Sequence, residues 1–320
     1  MNLTINASAP AITNRPLSSE VDWWRVRHLL IATHSISGPG FNWELRHWEG
    51  NRFHTAGPLW QPERFASHQL WETDEGQLVG VLIPEEKGWV DLQIHPVARQ
   101  QIEEEMIAYA EEHWAKETDD GKRELTFTVY EYDAPRLRIL QRRGYEKQAY
   151  GWINRRMHFA NQPIPTPVVA EGYTMRSTDP AESGDLAGDC QKIADLLNAA
   201  FNRPGFHQGE DVMAFVTRTP MFRHSLNLVM EAPDGSIAAH VGVNYDEINR
   251  FGIFEPVCTH PNHLRRGLAK ALMLEGMHRL KALGATEVEV STGDADAANA
   301  LYDSIGMTEH YKAYCWKKVF

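Results

Sequence analysis

The residues whose types and spacing can do chemistry gather in one stretch and one later helix. In Leu264-Arg265-Arg266-Gly267-Leu268-Ala269-Lys270, two arginines and a glycine stand just before an apolar series at Ala269, Leu272, Met273, Gly276, Met277 and Leu280. That period is helical. A helix start leaves about four backbone N–H groups without intrahelical partners and carries partial positive charge, so a diphosphate can sit there where Gly267 and Ala269 keep the approach clear. Two cations at the positive end of a helix are unfavourable unless an anion compensates them.

Upstream, Phe254–Thr259 reads as a strand that stops at His260-Pro261. Simple alternation places Glu255 on one face with Val257 and Thr259. A carboxylate there can take up a proton as a general base, with Asp246, Glu247 and Asp294 as competing carboxylates. Pro256 has no N–H to donate, so the strand must be bulged or unpaired at that point. Cys258 has no adjacent base and reads as a small buried residue. His260 and His263 lack further ligands at metal spacing and read as part of the turn, so no metal is expected.

The rest of the composition bounds the class. The 320 residues are 42% hydrophobic and 23% charged, with a formal charge of −11 and a pI near 5.7. Clustered Lys and Arg over a broad face are missing, which argues against a nucleic-acid surface and for a small anionic ligand at the local cluster 265–270. Three scattered cysteines, Cys190, Cys258 and Cys315, make neither a disulfide framework nor a CxxC site. Met1–Ser19 lacks a charged start followed by an apolar core, and no apolar run reaches ~18 residues. A cytoplasmic protein, off the membrane, is the expectation, so the Asn2 and Asn6 sequons carry no weight.

Along the chain one order of elements occurs twice. Ala11–Leu17 reads as a strand and Glu20–Ile31 as a helix; the following forty residues, rich in Gly, Trp, His and Pro, show no period. Gln77–Ile83 and Trp89–Ile94 are strands, the second ending at His95-Pro96; a helix with Ile102, Met106, Ile107, Ala110 and Trp114 on one face follows. A strand at Leu125–Val129 and a helix at Ala134–Arg143 closed by Gly144 complete the first set. Asn161–Ala170, with three prolines, reads as a linker. Then strand Tyr173–Ser177, helix Gln191–Phe201, strands Leu226–Glu231, Ile237–Tyr245 and Phe251–Thr259, helix 265–283, a strand around Val288 and Val290, and helix Ala297–Ser304 closed by Gly306 repeat the order. His95 and His260 lie 165 residues apart, Gly144 and Gly306 162, Arg15 and Arg176 161. Such steady offsets indicate a tandem duplication of whole domains.

This order resembles the GNAT N-acetyltransferase superfamily, over nearly the whole chain, as two tandem GNAT-like domains of mixed α/β fold. The family's pyrophosphate loop, Q/R-x-x-G-x-G/A, corresponds to Leu264–Ala269, with Leu264 departing from the first position. A second family signature, L-Y-x-x-x-G-F, corresponds to Leu301-Tyr302-Asp303-Ser304-Ile305-Gly306-Met307. The resemblance implies that acetyl-CoA is the co-substrate, held by the backbone around Val257, Cys258 and Thr259, by 264–270 including Arg265, Arg266, Gly267, Leu268, Ala269 and Lys270, and by Asn299. It implies Tyr302 as the acid that protonates the thiolate and Glu255 as the base. The family's usual Asn falls at Ala295 here.

The expected division is a degenerate copy over 1–160, the linker 161–170 and a working domain over 171–320. Opposite Leu264–Ala269 the first copy has Arg99-Gln100-Gln101-Ile102-Glu103-Glu104, with Ile102 for the glycine, and Glu103, Glu104 and Glu105 are expected to fill the helix's first turn and repel phosphate. Leu140 stands where Tyr302 stands. The first copy is expected to bind no coenzyme; it shapes the acceptor pocket or only stabilises its sister. The expected activity is transfer of acetyl to a small-molecule primary amine in a ternary complex, by a monomer or homodimer. The alternatives are a non-catalytic acyl-CoA-binding protein and an enzyme using a longer acyl-CoA. The aromatics between Trp23 and Trp60 line either a pocket or a core.

Overall fold

A computed structural model describes residues 11–38, 41–160 and 162–320; the Asn2 and Asn6 sequons and Asn161 lie outside these. The chain runs β1 (Ile12–Pro16), α1 (Glu20–His34), α2 (Leu45–Phe53), α3 (Pro62–Phe65), β2 (Gln69–Thr73), β3 (Leu78–Glu86), β4 (Trp89–Ile94) and α4 (Arg99–His113). Then come β5 (Lys116–Glu117), β6 (Arg123–Tyr130), α5 (Ala134–Arg142) and β7 (Glu146–His158). The second set is β8 (Thr174–Ser177), α6 (Pro180–Ser183), α7 (Leu186–Ala200), α8 (Gly209–Arg218), β9 (Asn227–Glu231), β10 (Ile237–Asp246) and β11 (Phe251–Thr259). It ends with α9 (Leu268–Ala282), β12 (Glu287–Thr292), α10 (Asp296–Ser304) and β13 (Glu309–Val319).

Two compact units form, and they are interleaved in sequence rather than divided at 161–170. The first unit comprises residues 1–45, 60–152 and 311–320; the second comprises 46–59 and 153–310. β7 therefore begins in one unit and ends in the other, and β13 belongs mainly to the first. In the first unit the strand order is β1-β2-β3-β4-β6-β13-β7, in the second β7-β12-β11-β10-β9-β8.

Each unit closes its first strand with the same ion pairs. Arg15 bonds Asp22 at 2.6 Å and Glu72 at 2.7 Å; Arg176 bonds Asp189 at 2.7 Å and Glu231 at 3.0 Å. The arginine of the edge strand thereby ties the first long helix of its unit to the next strand, where the carboxylates are partly or wholly withdrawn from water and the attraction is stronger than on an open surface.

In the second unit the core lies on the α9 side of the sheet. Ala239, Val241, Val243 and Tyr245 of β10 and Phe254 of β11 pack there with Leu268, Leu272, Met273, Met277 and Leu280 of α9, and with Val288, Val290 and Tyr302. The buried face of α7, with Cys190, Ile193, Ala194 and Leu197, takes no part in that cluster and covers the opposite face. Segment 46–59 joins α8 there: Glu49 accepts from Met221 N at 3.1 Å, Asp211 from Ala56 N at 2.9 Å, and His54 stacks on Phe215 at 4.1 Å. No helix among the described residues is long and apolar enough to cross a membrane.

Candidate active site

β11 and β12 run parallel for only three residue pairs, Phe251–Ile253 against Glu287–Glu289, and then part. On its other edge β11 keeps pairing with β10 through Ala239–Thr259, and His260 N–H bonds Ala238 O at 2.8 Å. In an antiparallel pair, residues alternate between exchanging both backbone bonds and facing away. His260 and Cys258 fall in the bonded positions, so Val257 and Thr259 turn their N–H and C=O toward the edge that β12 has left. Backbone groups so turned can pair with an extended amide-bearing ligand.

The register between β10 and β11 shifts by one where Glu255 and Pro256 oppose Gly242. Pro256 thus sits in a bulge, as its missing N–H requires. A Cβ on residue 242 would lie 2.5 Å from Glu255 O, so only glycine admits the bulge. The extra residue also resets the alternation. Phe254 and Val257 both meet the α9-side core, and Glu255 faces the other way. The expected common face for Glu255, Val257 and Thr259 is therefore corrected: unbroken alternation does not survive the bulge.

On its own face Glu255 meets two residues from the segment 46–59. His47 Nε2 lies 3.0 Å from Oε2, and Arg46 Nη1 lies 3.4 Å from Oε1. Arg46 is itself placed by His54, 3.0 Å from its Nη2, and by Phe215, whose ring centroid is 5.1 Å from Cζ. Asn244 Nδ2 donates to Glu255 O at 3.1 Å. Of the rival carboxylates, Asp246 accepts from Ile248 N, Asn249 N and Asn249 Nδ2 and closes its own turn, Glu247 pairs with Arg223 in solvent, and Asp294 is exposed in the loop before α10.

At the far end of β11 a short turn over Pro261–His263 leads to a loop in which Arg265 (φ 60°) and Gly267 (φ 75°) are both left-handed. For a non-glycine residue such as Arg265 this conformation is uncommon and collects at ligand-binding loops. α9 starts at Leu268, three residues later than the expected 265, because the loop is not helical. No side chain caps it, and the first intrahelical bond is Ala271 N–H to Gly267 O. Leu264, Arg265, Arg266 and Gly267 are exposed, Ala269 and Lys270 half-buried, and Leu268 is buried as the anchor of the turn. Arg266 lies over the Tyr173 ring at 5.9 Å, and Tyr173 O–H pairs with His263 Nδ1 at 2.8 Å. His260 Nδ1 accepts from Asn262 N, so both histidines serve the turn.

Tyr302 is 5% exposed, in the same apolar cluster as Val257. Burial pushes its phenol up to about 12. Its helix is held by Arg155 of β7, which donates to Asn299 Oδ1 at 3.0 Å, Asp303 Oδ1 at 2.5 Å and Met307 O at 3.4 Å. Asn299 also donates to Gly293 O and Ala295 O, both at 3.1 Å. Both amide hydrogens and one lone pair of the carbonyl are thus engaged inside the protein, where Asn299 braces the α10 start. Burial pushes the Cys258 thiol up to about 12, which leaves it inert as a nucleophile.

The first unit builds the equivalent place differently. A turn over Pro96–Ala98 runs straight into α4, which begins at Arg99, the position matching Leu264. Ala98 and Arg99 N–H groups are taken by His95 O and Pro96 O. The acidic residues expected in the first turn lie in the second and are paired. Glu103 is 2% exposed and bonds Arg99 and Arg136; burial works to raise its pKa, but the two arginines outweigh it and hold the carboxyl below its usual range. Glu104 pairs with Arg142, and Glu105 accepts from Trp71 and Asn14. Continuous helix here occupies the positions that form a loop in the other copy. Leu140 is fully buried in the core of that unit.

Sequence reasoning missed Arg46, His47 and Asn244. The first two sit in the stretch without period. Asn244 is a polar interruption of a strand otherwise largely apolar.

Residues 191–307 match the family model of the acetyltransferase (GNAT) family. No curated protein matches the chain by sequence. Among solved structures, a GCN5-related N-acetyltransferase from Sphaerobacter thermophilus is 20% identical with a TM-score of 0.62, covering 96% of this chain and 95% of its own. A tandem GNAT protein from the clavulanic acid biosynthesis pathway is 15% identical with a TM-score of 0.63, covering 97% and 98%. A GNAT-family acetyltransferase from Colwellia psychrerythraea is 11% identical with a TM-score of 0.59, covering 96% and 100%. The chain thus has the tandem GNAT fold of these structures, and residues 191–307 of its second repeat are similar to the GNAT acetyltransferase family.

Proposed function

We propose that the protein transfers an acetyl group from acetyl-CoA to a primary amine of a small molecule, at one site in the unit built from 46–59 and 153–310. The observation that carries this reading is the parting of β11 from β12 after Ile253, with the open, uncapped start of α9 at the end of the same strand. The pyrophosphate rests on the N–H groups around Gly267–Lys270 beside Arg265 and Arg266; the pantetheine amides pair with the free backbone of Val257 and Thr259. The same backbone holds the thioester oxygen as charge develops on it.

The amine attacks the thioester carbon directly, forming the new C–N bond as the C–S bond breaks. Glu255 takes the ammonium proton, and Tyr302 gives one to the departing thiolate. The continuous helix at Arg99 supports a first repeat that binds no coenzyme, and the cytoplasm suits three free thiols. Thiol release from acetyl-CoA across a panel of amines tests the proposal. Amine-dependent release that falls at least about a hundredfold in Glu255→Gln supports it. Tight coenzyme binding without release for any amine makes the protein an acyl-CoA binder, and faster release from longer acyl-CoA substrates corrects the donor.

A further inference from the structure

We infer that Gly50, His54 and Phe215 are positioning residues of the transfer reaction: together they fix the Arg46 guanidinium against Glu255, so that a segment of the first repeat completes the second unit's site. The inference rests on the transferase reading of that site.

α2 carries Arg46 and Gly50 four residues apart, and His54 follows at the same interval, its N–H still bonding Gly50 O at 3.1 Å. Residues at that spacing share one face of a helix. A Cβ on residue 50 would stand 3.1 Å from Arg46 Nη1 and 3.4 Å from His54 Cδ2. The missing side chain therefore lets the guanidinium lie along the helix as far as the His54 ring, whose Nε2 is 3.0 Å from Arg46 Nη2. Arginine only donates, so Nε2 offers its lone pair and the His54 ring carries its proton on Nδ1.

α8 grips the same segment from the other side. Asp211, Phe215 and Arg218 fall on one face of that helix. Asp211 accepts from Ala56 N at 2.9 Å, and Arg218 donates to Thr55 O at 3.2 Å and to Gly57 O at 3.0 Å. Between them the Phe215 ring stacks on His54, 4.1 Å between centroids and 10° between planes. Arg46 Cζ lies 5.1 Å from the centroid of that ring, so one aromatic side chain holds both groups.

Through Arg46 these contacts reach the base. Arg46 Nη1 meets Glu255 Oε1 at 3.4 Å, and His47 Nε2 meets Oε2 at 3.0 Å, which holds the carboxylate against rotation at both oxygens. The Arg46 side chain is 12% exposed and that of His47 43%, so the arginine is the firmer hold. A small displacement of a reacting group costs a large factor in rate.

The test is a double-mutant cycle on kcat for thiol release from acetyl-CoA, with an amine the wild type turns over. His54→Ala and Phe215→Leu are expected to lower kcat about tenfold with coenzyme Kd unchanged. His54→Gln, whose amide oxygen accepts from Arg46, should keep most of the rate. Gly50→Ala should lower it as His54→Ala does, although alanine is the better helix former. In an Arg46→Ala background, His54→Ala should cost nothing further. The same loss in both backgrounds, or full rate in both Gly50→Ala and His54→Ala, overturns the inference. Nitrogen-15 NMR of the histidine rings adds a readout without turnover: the His54 signal, assigned by its loss in His54→Gln, should be that of the Nδ1–H tautomer, and an Nε2–H tautomer overturns the inference. That tautomer in a chain that releases no thiol with any amine strikes the transferase reading instead.

Discussion

His47 Nε2 stands 3.0 Å from Glu255 Oε2, across 208 residues of sequence. The segment that carries His47 is drawn from the first repeat into the second unit, where Glu49, His54 and Ala56 fasten it to Met221, Phe215 and Asp211. Glu255→Gln should lower kcat by about 10²–10⁴ with coenzyme affinity unchanged. His47→Ala should cost roughly tenfold in kcat/KM, the scale of one hydrogen bond to a charged group. Steady-state kinetics on both variants checks this; an unchanged kcat in Glu255→Gln removes Glu255 as the base.

Gly267 occupies a left-handed position around which a Cβ meets nothing. Asp and Asn tolerate that backbone better than other side chains. Gly267→Asp places a carboxylate at the helix start, and its expected effect is a coenzyme Kd weaker by more than about tenfold, against a small effect for the equally shaped Gly267→Asn. Parallel titrations of the two variants read the difference, and equal losses would point to shape rather than charge.

Tyr302 stays protonated through the usual assay range because burial pushes its phenol up to about 12. Tyr302→Phe should reduce kcat by about 10²-fold or more. The wild-type pH–rate profile should show no falling limb from this group below about pH 11. A limb near pH 10 that disappears in Tyr302→Phe would mean the phenol is solvated during turnover.

The stretch from β11 to α9 was legible because strand alternation, the His-Pro turn, a glycine and a helical period are all local signals. What surrounds Glu255 was not. A bulge of one residue reverses which side chains share a face, and nothing in the residues 254–259 beyond Pro256 announces where the extra residue falls. Arg46 and His47 reach the site through long-range packing of a segment with no period of its own. Asn299 looked available on its helix, yet Arg155 of β7 claims it, and that pairing depends on where β7 ends. The acidic run Glu103–Glu105 lies one turn further into its helix than the expected first turn, because the helix absorbs the residues that form a loop in the other copy.

Glu289 on β12 offers a test of stability. It is 9% exposed, and burial raises its carboxyl from 4.5 to about 7, with Asn154 Nδ2 donating to it at 2.7 Å. The folded chain therefore holds this proton more tightly than the unfolded one. Its contribution is full below about pH 4.5 and is lost as pH rises to about 7. Glu289→Gln should match the wild type near pH 4 and exceed it above pH 7 by on the order of 1–3 kcal/mol. Denaturant unfolding at the two pH values measures the gap, and a gap that does not grow with pH would show that Glu289 is ionised in the fold at no cost.

A single coenzyme site is expected, in the second unit, where β11 leaves β12 and α9 starts uncapped. Calorimetric titration with acetyl-CoA measures it most directly. One molecule is expected to bind per chain, with the Arg99–Glu103–Arg136 cluster leaving no second site. A stoichiometry of two, or no binding, would contradict it.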